Sequence, residues 1–207
     1  MRDPGLVATF NREAPSYDER HGPSCGVAHE IALAAVAARG AVPRHVVDVG
    51  CGTGTLLEAV ARTWPDARLT GVDPAEAMVA IARDRLPCAD LRVARAEHLP
   101  VPDRCADLVV STTSFNHWSD HRRALREVAR VLEPGGLLVV VEHGPPGLLV
   151  GAVLALSGRL VRHHSPADHV RLARAGGLHP LRATAEREGF VCLLAQADSV
   201  VPRKERS

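Results

Sequence analysis

The stretch VVDVGCGTG, Val46 to Gly54, constrains this chain more than any other. A short β-branched run that stops at an acid and passes into three alternate glycines reads as a strand ending in a tight turn. The next residues, TLLEAVARTW, carry helical spacing, so the turn opens a helix at Thr55. Strand, glycine turn and helix in that order place a ligand crevice at the carboxyl end of the first strand of an open α/β sheet.

The same rhythm continues along the chain. Strands are predicted at His45 to Val49, Arg68 to Asp73, Leu91 to Ala94, Ala106 to Ser111 and Leu137 to Glu142, with helices at Thr55 to Trp64, Ala75 to Leu86 and His121 to Leu132. In the last helix Leu125, Val128 and Leu132 share one face, which leaves Arg122, Arg123, Arg126 and Arg130 able to face water. Ahead of this core, GVAHEIALAAVAARG reads as a helix stopped by Gly40 and Pro43; behind it lie one or two helices before the strands Leu178 to Thr184 and Phe190 to Ala195. The short turn near Gly189 demands that those two strands pair antiparallel. The expected fold class is therefore α/β: a doubly wound, mostly parallel, seven-stranded Rossmann-like sheet with an antiparallel last strand and helices on both faces.

A chain of 207 residues suits one domain, expected over residues 1–207, with an N-terminal helical cap over 1–40 and a late helical segment over 145–176 on the substrate side. Basic and acidic residues are interspersed and the formal net charge is +1, so nothing draws the chain to nucleic acid or an anionic membrane. Five scattered cysteines with no CxxC pair argue against a disulfide framework or a thiolate metal site. The N-terminus lacks an apolar leader, and the longest apolar run, LLVGAVLAL at Leu148 to Leu156, is too short to span a bilayer. We expect a cytoplasmic protein, monomer or homodimer, without nucleic-acid or membrane partners.

The glycine spacing selects the ligand. A dinucleotide turn reads GxGxxG and lays a pyrophosphate on the helix N-terminus, whereas Gly50, Gly52 and Gly54 are evenly spaced and the third arrives one residue early. Asp48 would repel a pyrophosphate but attract an ammonium or sulfonium, by about 1 to 4 kcal/mol at contact distance. Asp73, 19 residues beyond Gly54, ends the second strand where an acid accepts hydrogen bonds from ribose hydroxyls. A ribose and a positive group without phosphate describe S-adenosylmethionine, whose product is S-adenosylhomocysteine.

VVDVGCGTGTLL, GVDPAEAMVAIAR and REVARVLEPGGLLVVVEH, in that order, resemble the class I S-adenosylmethionine-dependent methyltransferase family. FNREAPSYD resembles the FxxxAxxYD segment of its small-molecule branch, related to the ubiquinone and menaquinone methyltransferases. The resemblance implies roles for matching positions. Asp48 and the loop Gly50, Cys51, Gly52, Thr53 and Gly54 would surround the methionine part, and Asp73 would hold the ribose. Pro74 and Met78 would lie along one adenine face, and Tyr17 would close over the methionine end. Ala96, Glu97 and Ser111 complete the candidate cofactor contacts. One position departs from the pattern. Where related sequences read gDAExLPF this chain reads VARAEHLPV, with Arg95 in place of an aspartate that accepts from the adenine amino group. Arginine only donates, so either the Ala96 backbone amide reads the adenine or Arg95 points elsewhere.

Methyl transfer from a sulfonium needs chiefly alignment, worth up to about 7 to 11 kcal/mol of barrier, with a general base where the acceptor is a hydroxyl. The expected reaction is in-line transfer to an oxygen, nitrogen or carbon of a small molecule; the alternative is a cofactor-binding protein that is regulatory or runs another reaction on the same fold. His117 is the first choice for a base, while Trp118 and His143 are candidate substrate contacts. His163, His164 and His169 lack acidic or cysteine partners at metal-ligand spacing, so no metal is expected. The apolar segment Pro145 to Leu160 would form a wall over a partly hydrophobic acceptor.

Overall fold

In the computed structural model, residues 4–145 and 163–199 are described. The run Leu148 to Leu156, and with it nearly all of the expected wall from Pro145 to Leu160, lies outside them. The elements in chain order are α1 (Pro4–Glu13), α2 (Tyr17–Ala37), β1 (His45–Val49), α3 (Thr55–Thr63), β2 (Arg68–Asp73), α4 (Glu76–Arg85), β3 (Asp90–Val93), β4 (Ala106–Thr112), α5 (His121–Val131), β5 (Leu132–His143), α6 (Pro166–Ala175), β6 (His179–Ala185) and β7 (Phe190–Gln196). They form a seven-stranded sheet in the order β3-β2-β1-β4-β5-β7-β6. β1 to β5 pair in parallel, and β7 runs antiparallel to both β5 and β6. Strand order reverses between β1 and β4, which opens the ligand crevice at their carboxyl ends.

The pleat divides the core in two. Val47, Val49, Val109, Leu138 and Val140 face Leu125 and Val128 of α5 and Ala173 of α6. Their neighbours Val46, Leu108, Val110, Val139 and Val141 face Ala28, Ala32 and Val36 of α2 and Leu57 and Val60 of α3. Each fully buried valine or leucine contributes roughly 1.5–3 kcal/mol, so neighbouring strand residues anchor helices on opposite faces.

Some boundaries differ from the sequence reading. α2 starts at Tyr17, ahead of the expected helix, and carries Pro23 inside it. Gly22 precedes that proline and has no Cβ to clash with the ring, which eases the usual break. α1 lies within the expected helical cap, although no separate helix was placed there, and β5 starts at Leu132 because the turn at Pro134, Gly135 and Gly136 is absorbed as a register shift in its pairing with β4. Arg130 is half-buried rather than fully solvated. Its guanidinium donates to the carbonyls of Leu99 and Val101 and pairs with Glu127 and Asp103, tying the β3–β4 connection to α5. Arg122, Arg123 and Arg126 are exposed, as their helical spacing requires. Among the described residues no helix is long and apolar enough to cross a membrane.

Candidate active site

Above the carboxyl ends of β1 to β4 lies a cavity of about 540 Å³. Leu6, Val7, Phe10 and Tyr17 of the N-terminal segment wall one side. Gly50 and Gly52, Asp73 and Pro74, and residues 94–97 lie at or just past the ends of β1, β2 and β3, and Met78 comes from the first turn of α4. Residues 112–114, 116–119 and His121 close the β4 side.

The glycine loop is pulled down onto β2. The N–H groups of Gly50 and Cys51 both donate to the Val72 carbonyl, at 2.7 and 3.1 Å, and Gly54 N–H donates to Cys51 O at 2.9 Å. Gly52 N–H donates to Asp73 Oδ2 at 3.0 Å, and Ala75 N–H donates to Oδ1 at 2.8 Å. Four of the five loop amides thus serve protein acceptors, so the loop itself offers few outward N–H groups to a pyrophosphate. Asp73 keeps further lone pairs for hydroxyl donors, since a carboxylate offers about four acceptor directions.

Two glycines answer different requirements. A Cβ on Gly50 would lie 1.8 Å from Ser114 Oγ, so its bareness lets the β4 loop approach. A Cβ on Gly52 would meet no protein atom within 4 Å; it would occupy the cavity, and the backbone there has φ +52°, which L side chains rarely adopt.

Asp48 sits beneath this loop, 1% exposed, and among the described residues its Oδ1 accepts no hydrogen bond. Burial, reinforced by the nearby Asp73 charge, pushes its pKa up to about 8. Burial likewise raises Asp73, against the two amides that favour its charge. A cation entering above the loop would draw both acids toward their ionised forms.

Several predicted site residues support the cavity without lining it: Asp48, Cys51, Thr53, Gly54, Ser111 and His143 are not on its wall. Ser111 Oγ donates to Val49 O at 2.8 Å within the sheet. Thr53 Oγ1 donates to Asp18 Oδ1 at 2.6 Å, and the Cys51 thiol is buried against the same loop. His143 stacks on Phe190 with ring centroids 4.3 Å apart, because it leaves β5 toward β7. Tyr17, Gly50, Gly52, Asp73, Pro74, Met78, Ala96, Glu97, His117 and Trp118 do line the cavity. Glu97 turns Oε1 to the N–H groups of Ser119 and Asp120, at 2.6 and 2.9 Å, and so clamps the loop that carries Trp118. Met78 is both wall and core, packed with Ala14 and Ala75.

His117 closes a single 3₁₀ turn, Phe115–His117, and meets the Phe10 ring edge-on at 5.5 Å. Part of its ring is open to solvent, but the enclosing walls lower its pKa, with His163 and His143 adding to the effect. A ring in a concavity has low-dielectric protein on most sides, so it stays neutral at pH 7. The turn is held from behind by Glu142, whose Oε2 accepts Asn116 N–H at 3.0 Å and whose Oε1 accepts His143 N–H at 2.8 Å. Burial pushes Glu142 up to about 7.

Sequence reasoning missed the contributions of Phe10, Asn11, Asp18, Asn116 and Glu142. Asn11 Oδ1 accepts Ala77 N–H at the start of α4, at 2.9 Å. Asp18 bonds Thr53 and, at 2.6 Å, Arg85, fastening α2 across the glycine loop and α4. The motif FNREAPSYD contains Phe10, Asn11 and Asp18, so its polar positions carried the signal for this fastening. The histidines His164 and His169 pack around the Phe115 ring, at 5.5 and 5.0 Å, as does His121 at 4.6 Å.

A family profile described as a methyltransferase domain matches residues 47–140. The chain is 40% identical over 185 residues to a malonyl-[acyl-carrier protein] O-methyltransferase of Geobacter sulfurreducens, covering 87% of this chain and 68% of that one. It is 38% identical over 104 residues to a demethylmenaquinone methyltransferase of Thermotoga maritima, covering 50% of this chain and 45% of that one. The match thus spans less than half the length of the second relative. A solved structure from Thermotoga maritima, described as an S-adenosylmethionine-dependent methyltransferase and possible histamine N-methyltransferase, superposes with a TM-score of 0.70 at 25% identity, covering 92% of this chain and 99% of that one.

Proposed function

The chain belongs to the S-adenosylmethionine-dependent methyltransferase family, and from that premise we propose that it methylates a small-molecule acceptor held at the β4 side of the cavity. The observation that carries the reading is Gly52: a bare, left-handed residue facing open space, its amide on Asp73 and, beneath, the Asp48 carboxyl, whose Oδ1 accepts no hydrogen bond among the described residues. This arrangement fits a ligand with a cationic amino-acid end and a ribose.

In this reading Asp73 accepts the ribose hydroxyls, the Gly50 to Gly54 loop lies against the methionine part with Asp48 beneath as counter-charge, and Pro74 and Met78 flank the adenine. When bound, S-adenosylmethionine supplies a methyl group already activated on its sulfonium. The protein's contribution is alignment and exclusion of water. Phe10 and Tyr17 cover the cavity from the N-terminal side, and Trp118, whose Nε1–H donates to Ser114 Oγ at 3.2 Å, holds the opposite wall. His117, neutral at pH 7, accepts a proton on a ring nitrogen from an acceptor hydroxyl or amine. A neutral imidazole suits that task, for which a general base contributes typically about 10²–10⁴-fold.

Titration calorimetry with S-adenosylmethionine, S-adenosylhomocysteine and NAD tests the binding half, and tight binding of NAD alone would overturn it. Transfer of labelled methyl to carboxylic acids, phenols, amines and quinone precursors tests the rest. Cofactor binding with no transfer to any of these acceptors would favour a binding protein instead.

A further inference from the structure

The turn after β4 presses on the glycine loop. Ser114 lines the cavity, and a Cβ on Gly50 would fall 1.8 Å from its Oγ and 2.4 Å from its Cβ. The hydroxyl therefore stands directly over the Gly50 backbone, where the loop after β1 meets the acceptor side of the cavity. Chemistry fixes which half of that hydroxyl is in use. The Trp118 indole N–H can only donate, and it donates to Ser114 Oγ at 3.2 Å. A lone pair is thus occupied, while the hydroxyl proton meets no acceptor among the described residues. The neighbouring hydroxyl, Thr113 Oγ1, is turned to Cys25 Sγ at 3.7 Å instead. The amides of Gly50, Cys51, Gly52 and Gly54 are spent on protein acceptors. A ligand lying against Gly50 thus finds at Ser114 a donor that the protein itself leaves unused.

We propose that Ser114 is a cofactor-binding residue, its hydroxyl donating to the α-carboxylate of S-adenosylmethionine while the Trp118 indole holds the oxygen from behind. This rests on the methyltransferase reading above, which lays the amino-acid end of the cofactor against the glycine loop. That end carries two charged groups of opposite hydrogen-bonding character. The ammonium has donors only and is matched by the Asp48 carboxyl beneath the loop; the carboxylate has acceptors only. The unused proton of Ser114 needs an acceptor, and of the two groups only the carboxylate is one. A hydrogen bond to a charged acceptor is stronger than one between neutral groups, and the indole N–H on the same oxygen polarises the O–H further. The contact also ties Trp118, on the acceptor wall, to the arrival of the cofactor.

Calorimetry on the full chain tests this with S-adenosylhomocysteine and two ligands that lack its carboxylate, the decarboxylated amine and methylthioadenosine. Ser114→Ala is expected to weaken S-adenosylhomocysteine by about tenfold or more, as loss of a hydrogen bond to a charged group does, and the other two by no more than about twofold. Comparing ligands on one variant cancels any general loosening of the turn after β4. Equal losses for all three ligands would overturn the inference, because Ser114 would then only hold the wall. So would a Ser114→Ala protein that binds S-adenosylhomocysteine as the natural one does. Either result leaves the methyltransferase reading standing. Failure of the natural protein to bind S-adenosylhomocysteine removes that reading and the inference together.

Discussion

Asp73 Oδ2 accepts the backbone N–H of Gly52 at 3.0 Å, so the tip of β2 and the middle of the glycine loop form one unit. Removing the carboxylate therefore costs a loop anchor as well as a ligand contact. Asp73→Ala is expected to weaken S-adenosylhomocysteine binding by about 1–3 kcal/mol, as loss of a charged hydrogen-bond partner does. Calorimetry checks it, and undiminished affinity would remove the ribose role.

Substitutions at the two loop glycines separate folding from binding. Gly50→Ala drives a Cβ into Ser114 and should lower the melting temperature. Gly52→Val meets no protein atom, so beyond the roughly 1–2 kcal/mol cost of a left-handed side chain its main effect should be abolished cofactor binding. Thermal melts and calorimetry on both variants check the contrast; equal binding losses from the two would contradict it.

The buried Asp48 makes stability depend on pH. Its folded pKa, about 8, lies above the ordinary 3.8, so the folded state holds a proton that the unfolded chain has released. Its stabilising contribution is complete below about pH 4 and is lost as pH rises to 8, at no more than about 1.4 kcal/mol per pH unit. Glu142 acts in the same direction between its ordinary 4.5 and about 7, while His29, lowered to about 4, opposes them. Comparing urea unfolding of the natural protein with Asp48→Asn across pH 4–8 isolates the Asp48 slope. A difference that does not change with pH would show that Asp48 is ionised in the fold.

Asp18 joins α2 to the glycine loop and to α4. It is partly exposed, so screening reduces its ion pair with Arg85. Asp18→Ala is expected to cost about 1 kcal/mol and roughly 2–4 °C in melting temperature. Asp18→Asn keeps an oxygen for Thr53 and should recover part of this. A melt showing no change in either variant would mean that α2 is held by its apolar face alone.

His117→Ala should lower turnover by about 10²–10⁴-fold with an oxygen acceptor while leaving cofactor affinity near its natural value. The measurement is single-turnover methyl transfer beside calorimetry. Turnover that matches the natural protein would take the base role from His117.

Much of the sheet was legible because β-branched runs end at residues that cannot continue a strand. β1 and β2 coincide with their expected spans, each with an acid at or next to its last residue and a glycine or proline directly after it. The separate helix α1 was obscured by its opening Pro4–Gly5. Within the site, the glycine loop and Asp73 announced themselves by local spacing. Ser111 did not: it stands at a strand's carboxyl end, but its hydroxyl bonds the neighbouring strand, and sequence alone does not fix that orientation. Glu97 and Glu142 act on amides 22 to 26 residues away, a separation over which no local pattern operates.

Trp118 is nearly buried in the cavity wall, its indole N–H on Ser114, and the chain has two tryptophans, the other being Trp64 on the far side of the glycine loop's helix. With Trp64 replaced by phenylalanine, the protein carries its own optical gauge: ligand arrival beside the remaining indole becomes an emission change that stopped-flow can follow without any label.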